Sequence, residues 1–125
     1  MSKTKFRGLL FLIFLFNSAL SIASEEGLAA YYSDVFQGKK TASGELYDRN
    51  GLTAAHKTLA FGTRVKVTDL GNDKSVTVTI TDRGPYSKKR IIDLSYAAAE
   101  EIDLINAGIS RVRIEILNSA SANNE

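Results

Sequence analysis

The sequence predicts a mostly-β chain closed as a small barrel, with one short α-helix. Three observations carry that prediction. Short apolar stretches, several of them strictly alternating, recur between Leu28 and Leu117 and are separated by turn-forming residues. Only one segment combines helix-forming composition with its own start and stop signals. The 125 residues suffice for one compact core and not for two.

The first segment stands apart from that barrel. Lys3, Lys5 and Arg7 precede an unbroken apolar block, Leu9 to Phe16 (LLFLIFLF), and the small residues around Ser21 and Ala23 follow. Residues 1–23 read as a secretory signal cut before Ser24 rather than as a retained anchor. A spanning helix needs about 20 apolar residues, and Asn17 and Ser18 interrupt this one. The chain divides into a signal (1–23), a barrel domain (24–117) and a flexible polar tail (118–125, NSASANNE). The domain is expected in the periplasm or outside the cell, exported and then free of the membrane.

Within the domain, Thr63 to Leu70 (TRVKVTDL) alternates, with Val65 and Val67 on one face. Gly71-Asn72-Asp73 is turn chemistry, and Ser75 to Thr81 (SVTVTIT) returns as the second arm of a hairpin. Arg90 to Leu94 (RIIDL) is a short apolar strand. Ser95 then caps a helix over Tyr96 to Asn106, whose Ala98, Ile102 and Ile105 share a side and which Gly108 stops. Ser110 to Leu117 (SRVRIEIL) alternates again with Val112, Ile114 and Ile116 inward. Two glycine-bearing loops, Phe36 to Gly44 and Arg83 to Lys89, exceed ordinary turns and are the places to look for function.

Charge and composition exclude several classes. The net charge of +2 falls to −1 without the signal, which holds three basic residues and no acid, so bulk charge gives no support for a nucleic-acid partner. With no cysteine in the sequence, no disulfide, lipid-modified cysteine or thiol nucleophile is expected, and the domain is not expected to be a lipoprotein. A single histidine rules out a multi-histidine metal site. No metal and no cofactor are expected, and the domain is expected to be a monomer.

The segment Thr79 to Tyr86 (TITDRGPY) concentrates the chemistry. Val76, Val78, Ile80 and Asp82 share parity, so a strand persisting that far points Asp82 the way the core residues point. A carboxyl there would be partly desolvated and favoured in the protonated form that a general acid needs. Pro85, the only proline, and Gly84 end the pairing and hold Asp82 at a rim. The alternative is that Asp82 caps a turn or pairs with Arg83 or Arg90.

TASGE, LTAAHKTL, FGTRVKVT, DRGP and RIIDLS stand in an order and spacing that resemble the rare lipoprotein A (RlpA) family. With the closing strand VRIEIL the resemblance covers nearly the whole domain. It implies a six-stranded double-psi β-barrel related in fold to expansins and barwin-like proteins. It also implies an endolytic lytic transglycosylase, a lyase that cuts the bond between N-acetylmuramic acid and N-acetylglucosamine in peptidoglycan glycan strands, leaving 1,6-anhydro ends, on strands poor in peptide. The alternative within the same fold is an expansin-like module that binds wall glycan without cleaving it.

By that similarity the functional acids fall on Glu45 and Asp82, with His56 nearby. Asp82 takes the acid/base role and Glu45 stabilises developing charge, although the two roles can be exchanged. His56 is otherwise a satisfied structural histidine. A Ser43–His56–Asp82 triad can be drawn but lacks a nucleophile elbow. Tyr32, Ser43, Tyr47, Arg83 and Tyr86 are the substrate-binding candidates, with Tyr86 best placed to stack on a sugar; the tyrosines can equally be core. Lys39-Lys40 and Lys88-Lys89-Arg90 are either solvated or meet the lactyl carboxylate of muramic acid. Asp48, Asp93 and Glu100 read as structural or surface groups. Ser33 and Ala60 depart from the family's usual glycine and proline, and neither touches an acid.

Overall fold

The structure is a computed structural model that describes residues 23–118. The expected signal and tail, Ala23 and Asn118 apart, lie outside the described residues. Among the described residues six strands close on one another: β1 (Ser24–Tyr31), β2 (Thr53–His56), β3 (Arg64–Asp69), β4 (Ser75–Asp82), β5 (Arg90–Leu94) and β6 (Ser110–Asn118), with one α-helix, α1 (Tyr96–Glu101), and a single 3-10 turn, Asp34–Phe36. Around the barrel the order is β1-β5-β2-β4-β3-β6, returning to β1. Neighbours β1–β5 and β2–β4 are parallel, and the other four pairings are antiparallel. Among the described residues no helix is long and apolar enough to cross a membrane.

The alternation read from β3, β4 and β6 is what fills the barrel. Val65, Val67, Val76, Val78, Ile80, Val112 and Ile114 point inward and are buried, together with Ala29, Ala54, Ile92 and Leu94 from the other strands. Ala98, Ala99, Ile102 and Leu104 of the helical segment pack onto the same cluster. Full closure leaves no sheet edge exposed, which holds a chain without cysteines together through its core alone.

The helix is shorter than its composition predicts. Ser95 caps it as expected, its Oγ accepting the Ala98 N–H at 3.2 Å. It ends at Glu101 rather than Asn106, because Asp103 adopts φ 59° and the Leu104 N–H turns back to the Ala99 carbonyl. The Asn72 amide takes up the Ile102 carbonyl that this stop leaves over. Turning the chain there is what lets both Ile102 and Leu104 reach the core.

Both parallel pairings contain a register shift. In β1–β5 the partners pass from Leu28↔Arg90 to Ala29↔Ile92, skipping Ile91. In β2–β4 they pass from Ala54↔Ile80 to Ala55↔Asp82, skipping Thr81. The second shift corrects the parity expected for Asp82. The strand does persist to that residue, but the inserted Thr81 turns Asp82 out of the inward row of Val76, Val78 and Ile80 and onto the outer face beside Ala55.

Candidate active site

Four paired residues cross the outer face of adjacent strands in one row: Ala30 on β1, Asp93 on β5, Ala55 on β2 and Asp82 on β4. All four line an open groove of about 550 Å³. The alanines keep its floor low and the two aspartates give it charge. Ala55 is buried although it faces outward, because the loops after β1 and β4 rise on either side. Tyr32 and Phe36 form one wall; Pro85 and Tyr86 form the other, with Tyr86 left 92% exposed. Gly84, with φ 125°, takes the chain sharply from Arg83 into that second wall.

Three donors hold the Asp82 carboxylate. The Tyr32 hydroxyl donates to Oδ2, while the backbone N–H groups of Ala42 and Arg83 donate to Oδ1 at 2.8 and 2.9 Å. The Ala42 bond, with that from the Ser43 N–H to the Thr81 carbonyl at 3.2 Å, fastens the TASGE loop to the end of β4. Tyr32 is itself fixed by stacking on Tyr47, with ring centroids 4.5 Å apart and planes 12° from parallel. Burial, and then the bond to Asp82, push the Tyr32 hydroxyl above the usual tyrosine range, so it remains a donor.

Asp93 is the second carboxyl in the groove. Burial pushes its pKa up and the charge of Asp82 pushes the same way, against the pull of Arg90. Its Oδ1 lies 3.3 Å from the Arg90 Nε, yet neither atom completes a hydrogen bond. From sequence alone Asp93 reads as a structural or surface group. The signal that could have found it is parity: in RIIDL, Ile92 and Leu94 are core residues, so Asp93 must face the other way.

The other candidates divide. Asp82, Tyr32, Arg83 and Tyr86 come together in the groove. Arg83 is engaged within the protein: its Nη1 donates to the carbonyls of His56 and Leu59 at 3.1 and 2.7 Å and its guanidinium lies 4.1 Å from the centre of the Phe61 ring. Ser43 sits in the fastened loop, its hydroxyl bonded to Thr41 at 3.0 Å. Glu45 ends that loop, exposed and outside the groove lining.

Two further candidates lie apart from the groove lining. Tyr47 is 4% exposed and lies beneath Tyr32, with its hydroxyl accepting the Tyr96 N–H at 3.1 Å. It supports the wall from beneath and is not part of the groove lining. His56, 6% exposed, is not in the groove. It shares the inward parity of Ala54 and plugs the barrel beside Leu59, Ile114 and Ile116. Its Nδ1 accepts the N–H groups of Thr58 and Leu59, each at 3.1 Å, so Nε2 carries the hydrogen and faces Glu25 at 3.1 Å. No triad with Ser43 and Asp82 forms.

The lytic transglycolase family profile matches residues 24–114. The chain is similar to the endolytic peptidoglycan transglycosylase RlpA of Campylobacter jejuni, 51% identical over 98 residues, covering 78% of this chain and 36% of that protein. It is similar also to the protein of that name from Haemophilus influenzae, 55% identical over 100 residues, covering 80% and 35%. The matched part is thus about a third of the length of these relatives. Among solved structures, the expansin of Clavibacter michiganensis superposes with a TM-score of 0.62 at 23% identity, over 77% of this chain and 51% of that one, a likeness of fold.

Proposed function

Because the chain belongs to the RlpA-like lytic transglycolase family of double-psi β-barrels, we propose that it is an endolytic peptidoglycan transglycosylase. It cleaves bonds between N-acetylmuramic acid and N-acetylglucosamine in peptide-poor glycan strands and leaves 1,6-anhydro ends. The observation that carries this reading is the pair Asp82 and Asp93 on the floor of an open groove walled by aromatic rings. An open groove admits a strand in mid-chain. The faces of Tyr86 and Phe36 offer stacking surface to sugars, and small residues on the floor let the scissile bond reach the acids.

The chemistry needs no separate water. The muramic C6 hydroxyl attacks its own anomeric carbon, an intramolecular step favoured by high effective concentration. A carboxyl protonates the leaving oxygen and a carboxylate offsets the charge of the oxocarbenium-like transition state. Asp82, its lone pairs largely committed to three fixed donors, suits the charge-stabilising role. Lys40 and Arg90, which also line the groove, are placed to meet the lactyl carboxylate of muramic acid. The domain acts after export, in the periplasm or beyond it, as a monomer.

Digestion of purified glycan strands followed by mass analysis tests this reading. Anhydro-ended fragments are expected from the wild type and none from Asp82→Asn. Hydrated reducing ends would reject it. Binding to sacculi that survives Asp82→Asn, with no products from either protein, would establish the non-cleaving module instead.

A further inference from the structure

Building on the lytic reading above, we propose that Asp93, rather than Glu45, is the second carboxyl of the reaction centre and the group that moves the proton. Asp82 stays in place as the fixed negative charge beside it. Three observations converge on this division. Asp93 and Asp82 lie in one cross-strand row on either side of Ala55, two strand spacings or roughly 10 Å apart between Cα atoms. Both line the groove, and Glu45 does not. Their hydrogen bonding differs: Asp82 accepts from three donors, whereas Asp93 Oδ1 is buried without a hydrogen-bond partner, 3.3 Å from the Arg90 Nε.

An acid/base group must hold a proton and give it up, so it cannot have its oxygens tied by fixed N–H donors. Asp93 meets that condition. The groups around it push in opposite directions. Arg90 on its own strand favours the charged form, while burial and the charge of Asp82 from β4 favour the neutral one and prevail. Just after β1 the chain brings the Tyr32 hydroxyl, which stays neutral, and β2 brings only the methyl of Ala55. Tyr31, Lys40, Arg83 and Tyr86 complete the titratable lining, with the Tyr31 hydroxyl donating to the Ile105 carbonyl and the Arg83 guanidinium turned to the His56 and Leu59 carbonyls.

The cycle balances. Protonated Asp93 gives its proton to the glycosidic oxygen as the bond from that oxygen to the muramic anomeric carbon breaks. The C6 oxygen bonds to the same carbon, and its proton passes to the Asp93 carboxylate. The protein returns to its starting protonation, with no water or redox partner consumed.

The test uses the full chain, peptide-free glycan strands and mass detection of anhydro ends. Asp93→Asn is expected to lower kcat at least 100-fold with little change in KM, and Asp93→Glu to recover part of the loss. Asp93→Asn within threefold of wild type, alongside anhydro products from both, would overturn the assignment and leave the lytic reading standing. Absence of anhydro products from the wild type would remove the lytic reading itself. A second measurement needs no substitution at Asp93: carboxyl-carbon NMR titration. The Asp93 resonance is expected to titrate above the ordinary aspartate value, and at lower pH in Asp82→Asn. An ordinary midpoint, or one indifferent to Asp82, would overturn the proposal whatever the activity of Asp93→Asn.

Discussion

At the scale of single residues, the groove depends on how Asp82 is held. Tyr32 is the only side chain among its three donors, and the aromatic stack beneath keeps the hydroxyl aimed. Replacing it with Phe leaves the ring on Tyr47 and removes one hydrogen bond to a charged group, an interaction of about 1.5–3 kcal/mol. Tyr32→Phe is therefore expected to lower kcat by roughly 10- to 100-fold and to lower the melting temperature through the same lost bond, while the ring's packing survives. A fall in melting temperature with kcat unchanged would make Tyr32 a structural residue only. Asp82 itself was legible from its sequence context, the strand end before DRGP. Its orientation was not, because the extra residue Thr81 reverses the parity and no local signal marks it. Tyr47 and His56 sit in motifs that resemble the family's, yet the structure gives one to the wall's support and the other to the barrel interior.

At the scale of elements, legibility followed side-chain size. Strands β3, β4, β5 and β6 announce themselves through valine and isoleucine, and their bounds are read from the sequence to within a residue. Strands β1 and β2 are not individually legible, since GLAAY and TAAH offer glycine and alanine in place of a hydrophobic alternation. Those small residues are required by packing. Ala30 and Ala55 must stay low beneath the groove, and Gly27 must admit Ile91, the residue skipped in the β1–β5 register. A Cβ on Gly27 would stand 2.6 Å from Ile91 Cγ2, a branch with little freedom to move. Gly27→Ala is expected to cost about 1–3 kcal/mol through overpacking. Urea unfolding would register it as a lower midpoint with an unchanged slope. An unaltered midpoint would mean that β1 gives way easily, and that the register shift does not pin it.

At the scale of the whole molecule, a closed six-stranded sheet with one shared core should unfold as a unit, so a single groove residue can be read in global stability. Asp93 makes that reading specific. Its pKa in the fold lies above the ordinary value of 3.8, so the folded state binds its proton more tightly than the unfolded chain does. The stability this group contributes is fully present below about pH 3.8 and is lost as pH rises through the raised folded value; beyond that the loss is constant. Asn cannot titrate. Comparing wild type with Asp93→Asn by urea unfolding between pH 3 and 8 cancels every titration the two proteins share. The variant is expected to gain on the wild type as pH climbs from about 3.8, then to hold its lead once Asp93 is ionised. A difference that stays level throughout would show that the fold does not resist ionisation of Asp93. A difference running the other way would show that the Arg90 pairing outweighs burial, and that Asp93 anchors β5 instead of serving the groove. The same cost of charging Asp93 that weakens the barrel as pH rises also strengthens its hold on the proton that the proposed step moves.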